Sequence, residues 1–259
     1  MSEAKLTVER EGDVLVLTLD NPAQRNALGP GIYDGGIEAF KTVAEDKSIG
    51  AVVLTGRDGI FCAGGNLNRL KNNRAKSPEF QRDAMNALLD WVKAIRQSEV
   101  PVIAAVEGAA AGAGCSVALA CDLIVAAEDA IFALSYVKVG LNPDGGATDF
   151  LARALPQQLA SEILFEGGKI APEHLHRLGV VNRLVGHGQA LDVALTWGQK
   201  LAKGPRAAMG RAKRLLEGAY GELSSQLDKE ADAFVEALHH DEAGEGISAF
   251  LEKRKPQFR

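Results

Sequence analysis

Three runs of this chain are free of charge along their whole length: Ala51-Val52-Val53-Leu54-Thr55, Val102-Ile103-Ala104-Ala105-Val106 and Leu123-Ile124-Val125-Ala126-Ala127. A strand with one face in water alternates apolar and polar residues, whereas a continuous apolar run suits a strand covered on both faces, as in a parallel sheet flanked by helices. The intervening stretches fit. Residues 30–46 put Ile32, Ile37, Phe40 and Val43 on one helical side, and residues 78–97 form a second helical stretch leading into Val102. A glycine-rich turn, residues 108–114, precedes a small-residue helix, residues 115–120, and then the third run. Strand, helix and strand with short connections is the rhythm of parallel β/α units, so the fold class is α/β.

Upstream, Leu6 and Val8, then Val14 to Leu19, read as two strands around the turn Glu11-Gly12-Asp13, and Asn21-Pro22 closes the second. Residues 71–78 are polar and read as a loop or a frayed helix. Beyond Pro156 the pattern is nearly all helical, apart from Val180-Val181-Asn182-Arg183-Leu184. The C-terminal part carries amphipathic stretches around Leu215, Leu223, Leu227, Phe234 and Leu238. The chain of 259 residues can bury a sizeable core. The expected organisation is a core over residues 1–200 and an appended helical layer over 201–259.

A net charge of -5 lacks the basic footprint of a nucleic-acid binder. Cys62, Cys115 and Cys121 match no zinc spacing and no disulfide framework, so they read as reduced, buried thiols. The N-terminus has no apolar signal core. The longest apolar stretch, 101–127, is interrupted by Glu107 and Asp122, which leaves less than the roughly 20 residues of a membrane span. The expected location is the cytoplasm.

The most informative features are two strand-to-turn junctions. One run ends toward Phe61-Cys62-Ala63-Gly64-Gly65-Asn66-Leu67, the other toward Gly108-Ala109-Ala110-Ala111-Gly112-Ala113-Gly114. Small residues there let a ligand approach the main chain, and a helix start leaves its first N–H groups unpaired. Two such amides aimed at one point make an oxyanion hole. Close helix–strand packing selects the same residues, and composition leaves both readings open.

The first junction resembles the FxAGxDL motif of the crotonase family, also called the enoyl-CoA hydratase/isomerase family. Residues 101–122 resemble its PVIAAVxGxAxGxGxxxALxCD signature, Asn26-Ala27-Leu28 its NAL motif, and residues 247–255 its C-terminal SAFxEKR. The matches span nearly the whole chain in the family's order. The resemblance implies a crotonase-like spiral of ββα units, with the C-terminal helical layer serving oligomerisation and completion of the CoA site. It implies a homotrimer or homohexamer and an acyl-CoA substrate, with neither metal nor cofactor beyond the coenzyme A of the substrate. It assigns the oxyanion donors to the N–H groups of Ala63 and Ala113, alanine standing where glycine is common in the family. It lines the CoA path with Ala23, Arg25, Gly64, Gly65 and Asn66, and brings Phe250 and Lys253 to the nucleotide end. Read without the family, Lys253 is a solvated tail lysine.

The chain departs from the hydratase pattern. The two glutamates that run hydration in this family align with Ser116 and Tyr136, and neither can serve as a carboxylate base, since tyrosine titrates near 10. Asp144 in Gly140-Leu141-Asn142-Pro143-Asp144-Gly145-Gly146 stands where some family isomerases carry an acid. Asp-Gly at a helix entrance is also a common cap. Tyr136 is a pocket wall or ordinary core, and Asp149 a surface residue or a structural pair. Ala110-Ala111-Gly112-Ala113-Gly114 followed by this turn resembles the ring 1,2-epoxyphenylacetyl-CoA isomerase group, and also the alternative-type oxepin-CoA hydrolases. The expected function is isomerisation of a CoA thioester in fatty or aromatic acid degradation, with Asp144 as proton shuttle. Hydration, ring-opening hydrolysis and a non-catalytic CoA-binding role are the alternatives. A serine-hydrolase elbow at Ser116 is excluded by its position ten residues after the strand, inside the predicted helix. Gly112 to Val117 lacks the third glycine of a dinucleotide turn, and His174 and His176 lack the spacing of a helical zinc site.

Overall fold

The computed structural model describes residues 4–73 and 75–219, together with Asp241, Glu245, residues 252–254 and Gln257. The strands are β1 (Lys5–Glu11), β2 (Val14–Asp20), β3 (Ala51–Gly56), β4 (Val102–Val106), β5 (Ala109–Ala111), β6 (Leu123–Ala127), β7 (Ile131–Ala133), β8 (Lys169–Ile170) and β9 (Arg183–Val185). The helices are α1 (Pro30–Glu45), α2 (Leu67–Asn73), α3 (Pro78–Gln97), α4 (Ala113–Ala120) and α5 (Ala147–Ala154). They continue with α6 (Gln157–Glu166), α7 (Pro172–Arg177), α8 (Ala190–Ala202) and α9 (Arg206–Gly218).

The larger sheet has the order β1-β2-β3-β4-β6-β9. Only the β1–β2 hairpin is antiparallel, with Lys5 opposite Asp20 and Glu11 opposite Val14. Every later pair is parallel: Val14 faces Ala51, Val52 faces Val102, Ile103 faces Leu123 and Val125 faces Arg183. The edge strand β1 is largely exposed and charged, which protects the sheet from pairing with other chains. A smaller sheet, β5-β7-β8, stands beside it. The α/β class expected from the sequence is the one observed.

The uncharged runs have the predicted cause. Val53, Ile103, Ala105 and Val125 pack on one face against the small residues Ala190, Ala194 and Ala202 of α8. Val52, Leu54, Val102, Ala104, Val106 and Ile124 alternate with them and enter the larger core with α1, α3 and α4. Strand periodicity therefore feeds two hydrophobic layers at once. The predicted helical side of α1 is mostly correct: Ile32, Phe40 and Val43 are buried, and Ile37 packs at the margin.

Two local expectations are corrected. The glycine-rich turn contains a strand, because Ala109–Ala111 pairs in parallel with Ile131–Ala133. The helix that follows starts at Ala113 rather than Cys115. In each case tertiary pairing decides a segment too short for periodicity to show. The three cysteines are free and buried, as expected. Among the described residues no helix is long and apolar enough to cross a membrane. Leu223, Leu227, Phe234, Leu238 and Phe250, expected in the C-terminal layer, lie outside the described residues.

The start of that layer is tied to the sheet by a charge. The Nζ of buried Lys213, on α9, donates to the Ile95 carbonyl (2.8 Å) and to Asp122 Oδ2 (2.7 Å). The same carboxylate oxygen accepts the Val102 N–H at the start of β4 (2.8 Å). Removing one partner of a buried pair leaves the other uncompensated. Lys213→Met is therefore expected to cost about 3 kcal/mol of stability, measured by urea denaturation. Unchanged stability would show that the pair contributes nothing to the docking of α9.

Candidate active site

The site begins where the chain leaves β3. Phe61 and Cys62 run beside β5: the Phe61 N–H donates to Glu107 O (2.8 Å), the Cys62 N–H to Ala109 O (2.7 Å), and the Ala111 N–H to Cys62 O (2.8 Å). On its other side this strip meets the loop after β2, where the Ala63 N–H donates to Arg25 O (2.9 Å) and the Leu28 N–H to Gly64 O (2.8 Å). Gly64 has φ +94°, and a Cβ on it would lie 2.6 Å from Ala111 O and 3.5 Å from Ala113 N. The two junctions singled out in the sequence thus meet backbone to backbone, an approach that glycine alone permits.

One expected donor is corrected. The Ala63 N–H is occupied by the Arg25 carbonyl and is not free. The neighbouring N–H of Gly65 has no partner among the described residues. That of Ala113, the first residue of α4, likewise has none, since a helix start leaves its N–H groups without intrahelical acceptors. Which amide of the motif stays free depends on where the Arg25 loop docks, a contact with no local sequence signal.

The remaining expected ligand residues divide. Ala23 and Arg25 are exposed, in a loop shaped by left-handed Arg25 and Asn26. Buried Asn26 holds that loop, its side-chain amide donating to Arg57 O (2.9 Å) and Ile60 O (2.6 Å). Asn66 caps α2: its Oδ1 accepts the Arg69 N–H (3.0 Å) while its Nδ2 donates to Gln24 Oε1 (2.6 Å). Between these loops lies a cavity of about 190 Å³ lined by Gln24, Leu28, Asn66 and Arg69 among others. Lys253 is exposed, with φ +56°. Phe250 lies outside the described residues.

Asp144 is half-buried on the turn before α5, and it does not cap that helix. Gly146 occupies the cap position, without a side-chain cap bond. The Asp144 carboxylate instead accepts the Tyr136 hydroxyl at 2.6 Å, and the Tyr136 oxygen lies 3.1 Å from Ser116 Oγ. Ser116 is fully buried in α4 and also reaches the Gly112 carbonyl (3.4 Å). Gly145, at φ +60°, lets the turn pass over Ser116, where a Cβ would sit 3.0 Å from that side chain. Burial raises the Asp144 carboxyl above its ordinary value of 3.8, opposed by the Tyr136 hydroxyl and by its own N–H, which favour the charged form. Burial, and then the Asp144 charge, push the Tyr136 phenol up. Tyr33 of α1, unmarked by any sequence motif, is raised by burial too, with the Arg69 charge lowering it and the Asp144 charge raising it.

Other clusters have structural accounts. Asp149 pairs with Arg153 at 2.6 Å on α5. Glu107, Asp129 and His187 bring potential metal ligands within 4.8 Å of one another. The Glu107 oxygens there accept the N–H groups of Gly188 (3.1 Å) and Ala190 (2.8 Å) at the start of α8.

Two turns thus carry N–H groups without partners among the described residues, and a half-buried carboxylate is tied through Tyr136 to Ser116 on the helix that starts at the second turn. The family model described as enoyl-CoA hydratase/isomerase matches residues 9–259. The chain belongs to that family. As a member of the enoyl-CoA hydratase/isomerase family it is an enzyme acting on CoA thioesters. It is 34% identical to 2,3-dehydroadipyl-CoA hydratase of Escherichia coli over 262 residues, which span 99% of each chain. It is 33% identical to 1,2-epoxyphenylacetyl-CoA isomerase of the same organism, over 96% of this chain and 95% of the other. The solved structure of an enoyl-CoA hydratase from a Polaromonas species is similar at a TM-score of 0.96 and 50% identity, covering 98% of this chain and all of that one. Family relatives thus bear the names of hydratases and of an isomerase.

Gly64 tests the contact between the two turns. Gly64→Ala forces a side chain into a left-handed backbone and against Ala111 O. It is expected to cost about 1–3 kcal/mol in stability and to reduce turnover further than that loss explains. Urea denaturation and a CoA-ester assay, run on the same preparation, measure the two effects. Wild-type values in both would show that the close approach is dispensable.

Proposed function

We propose that this enzyme isomerises a CoA thioester by carrying a proton between two carbons of the acyl group, with Asp144 as the carrier. The observation that supports this reading is the Ser116–Tyr136–Asp144 chain. Two hydroxyls stand where the resemblance places the glutamates of hydration, and a single carboxylate lies beside them. Ionised Asp144 removes a proton from C2 of a 3-enoyl thioester, and the carbonyl becomes an enolate. The N–H groups of Gly65 and Ala113 hold the enolate oxygen; such donors are worth on the order of 10²–10³ in rate each. As the carbonyl re-forms, the former C3–C4 double-bond electrons take the proton back from Asp144 at C4, and the double bond rests between C2 and C3. No water is consumed and Asp144 returns to its starting state.

Coenzyme A enters past Ala23, Arg25 and the Gly64–Asn66 turn, and Phe250 and Lys253 serve its nucleotide end. The enzyme works in the cytoplasm as a homotrimer or homohexamer, and the exposed apolar side chains of Val137, Val139, Leu141 and Phe165 supply contact area for such an assembly. Residues 1–200 form the catalytic core and 201–259 the layer that completes it.

The test uses trans-3-hexenoyl-CoA, with mass spectrometry and the ultraviolet absorbance of the conjugated product. Unchanged mass with new absorbance is expected; a gain of one water would point to hydration instead. Asp144→Asn is expected to lose on the order of 10²–10⁴ in kcat while still binding the ester. Wild-type turnover by that variant would exclude the shuttle. Because the base works ionised and its pKa is raised, kcat/KM of the wild type is expected to fall on the acid side at a pH above 3.8.

A further inference from the structure

The three-residue hydroxyl chain has geometry beyond what a lone base requires. Tyr136 has one proton, and at 2.6 Å it lies on Asp144 Oδ1. The Tyr136 oxygen is therefore an acceptor toward Ser116, whose single O–H proton supplies the 3.1 Å bond in preference to the longer 3.4 Å contact with Gly112 O. Ser116 is the fourth residue of α4, and its N–H also donates to Gly112 O (3.1 Å), the carbonyl just before the Ala113 amide. The chain runs from the helix start that carries an unpaired N–H to the carboxylate, and Ser116 and Tyr136 are both buried.

We propose that Tyr136, itself held by Ser116, is a positioning residue for Asp144, fixing Oδ1 and leaving Oδ2 as the oxygen that takes and returns the substrate proton. This rests on the proton-shuttle reading of Asp144. A carboxylate on a half-exposed turn can rotate about its Cβ–Cγ bond and present either oxygen. One short bond from a ring that cannot move removes that freedom, and errors of about 1 Å in the placement of a reacting group cost up to 10²-fold. The fold also sets the reach: Tyr136 lies in a 3-10 helix, Ser135–Val139, and the left-handed turn at Gly145 and Gly146 brings Asp144 back over it. The other titratable group whose interaction with Asp144 is resolved is Tyr33 on α1, whose hydroxyl lies 3.4 Å from Arg69 of α2.

Tyr136→Phe keeps the ring and removes the donated proton. Since that proton favours the ionised carboxylate, its loss raises the Asp144 pKa, and the acid limb of activity moves to higher pH. With trans-3-hexenoyl-CoA the variant is expected to lose roughly 10- to 100-fold in kcat, with KM changed less than about twofold. Its acid limb, and the carbon-13 NMR titration of the Asp144 carboxyl, are expected to rise by about one pH unit. Ser116→Ala is expected to move the same readouts in the same direction by less. A Tyr136→Phe variant with wild-type kcat, or with an unmoved Asp144 titration, would overturn the proposal. Should Tyr136→Phe fail to fold, Ser116→Ala decides on the same readouts. Asp144→Asn separates the two claims: wild-type turnover there defeats the shuttle, whereas an inactive Asp144→Asn beside an unaffected Tyr136→Phe defeats only the positioning role.

Discussion

The contact of Gly64 with the Ala111–Ala113 backbone is the constraint on which the rest of the site depends. It joins peptide groups from two different strand ends without any side chain between them, and beside it the N–H groups of Gly65 and Ala113 have no partner among the described residues. Main-chain donors fixed in this way need no reorganisation as charge develops, the condition under which they stabilise an oxyanion well. The small residues of both junctions serve this approach and the packing of α4 on the strands together. Of the two readings that composition left open, close helix–strand packing is the one observed, and oxyanion binding is the one proposed.

The sheet behind the contact explains its rigidity. β3 and β4 are buried on both faces, one packed on the alanines of α8 and the other on the core that includes α1, α3 and α4. Their ends cannot shift without disturbing two layers, and close-packed interiors resist that. Glu107, two residues before β5, adds a further tie by capping α8. The two turns stand beyond strands that are buried on both faces, while the proposed acid sits on a turn outside the sheet.

The sequence was most legible where many residues vote together. β4, β6 and α3 have the predicted bounds because charge-free runs and helical spacing extend over five or more residues. β5, β7 and β8 are two or three residues long and exist through their partners, so no local pattern marks them. Within the site, the family motifs picked out two junctions that meet backbone to backbone and an aspartate bonded to Tyr136. They pointed to the Ala63 N–H as free, and it is not, because the occupation of that amide depends on Arg25, 38 positions away in the chain. They also left the carboxylate as a possible cap. Its bond to Tyr136 spans eight residues and arises from two successive left-handed glycines, a geometry that the letters Asp-Gly-Gly permit without specifying.

Cys62 has a chemical consequence of its own. A conjugated enoyl thioester is a Michael acceptor, and a thiolate near the pocket would be alkylated by it. Cys62 is part of the first junction, its sulfur accepting the Gly64 N–H (3.3 Å) and donating to Asn26 O (3.1 Å). Burial pushes its thiol up to about 12, so at neutral pH the sulfur carries its proton and is a poor nucleophile. In a site that handles such an acyl group, as proposed, a protonated and buried Cys62 is spared alkylation.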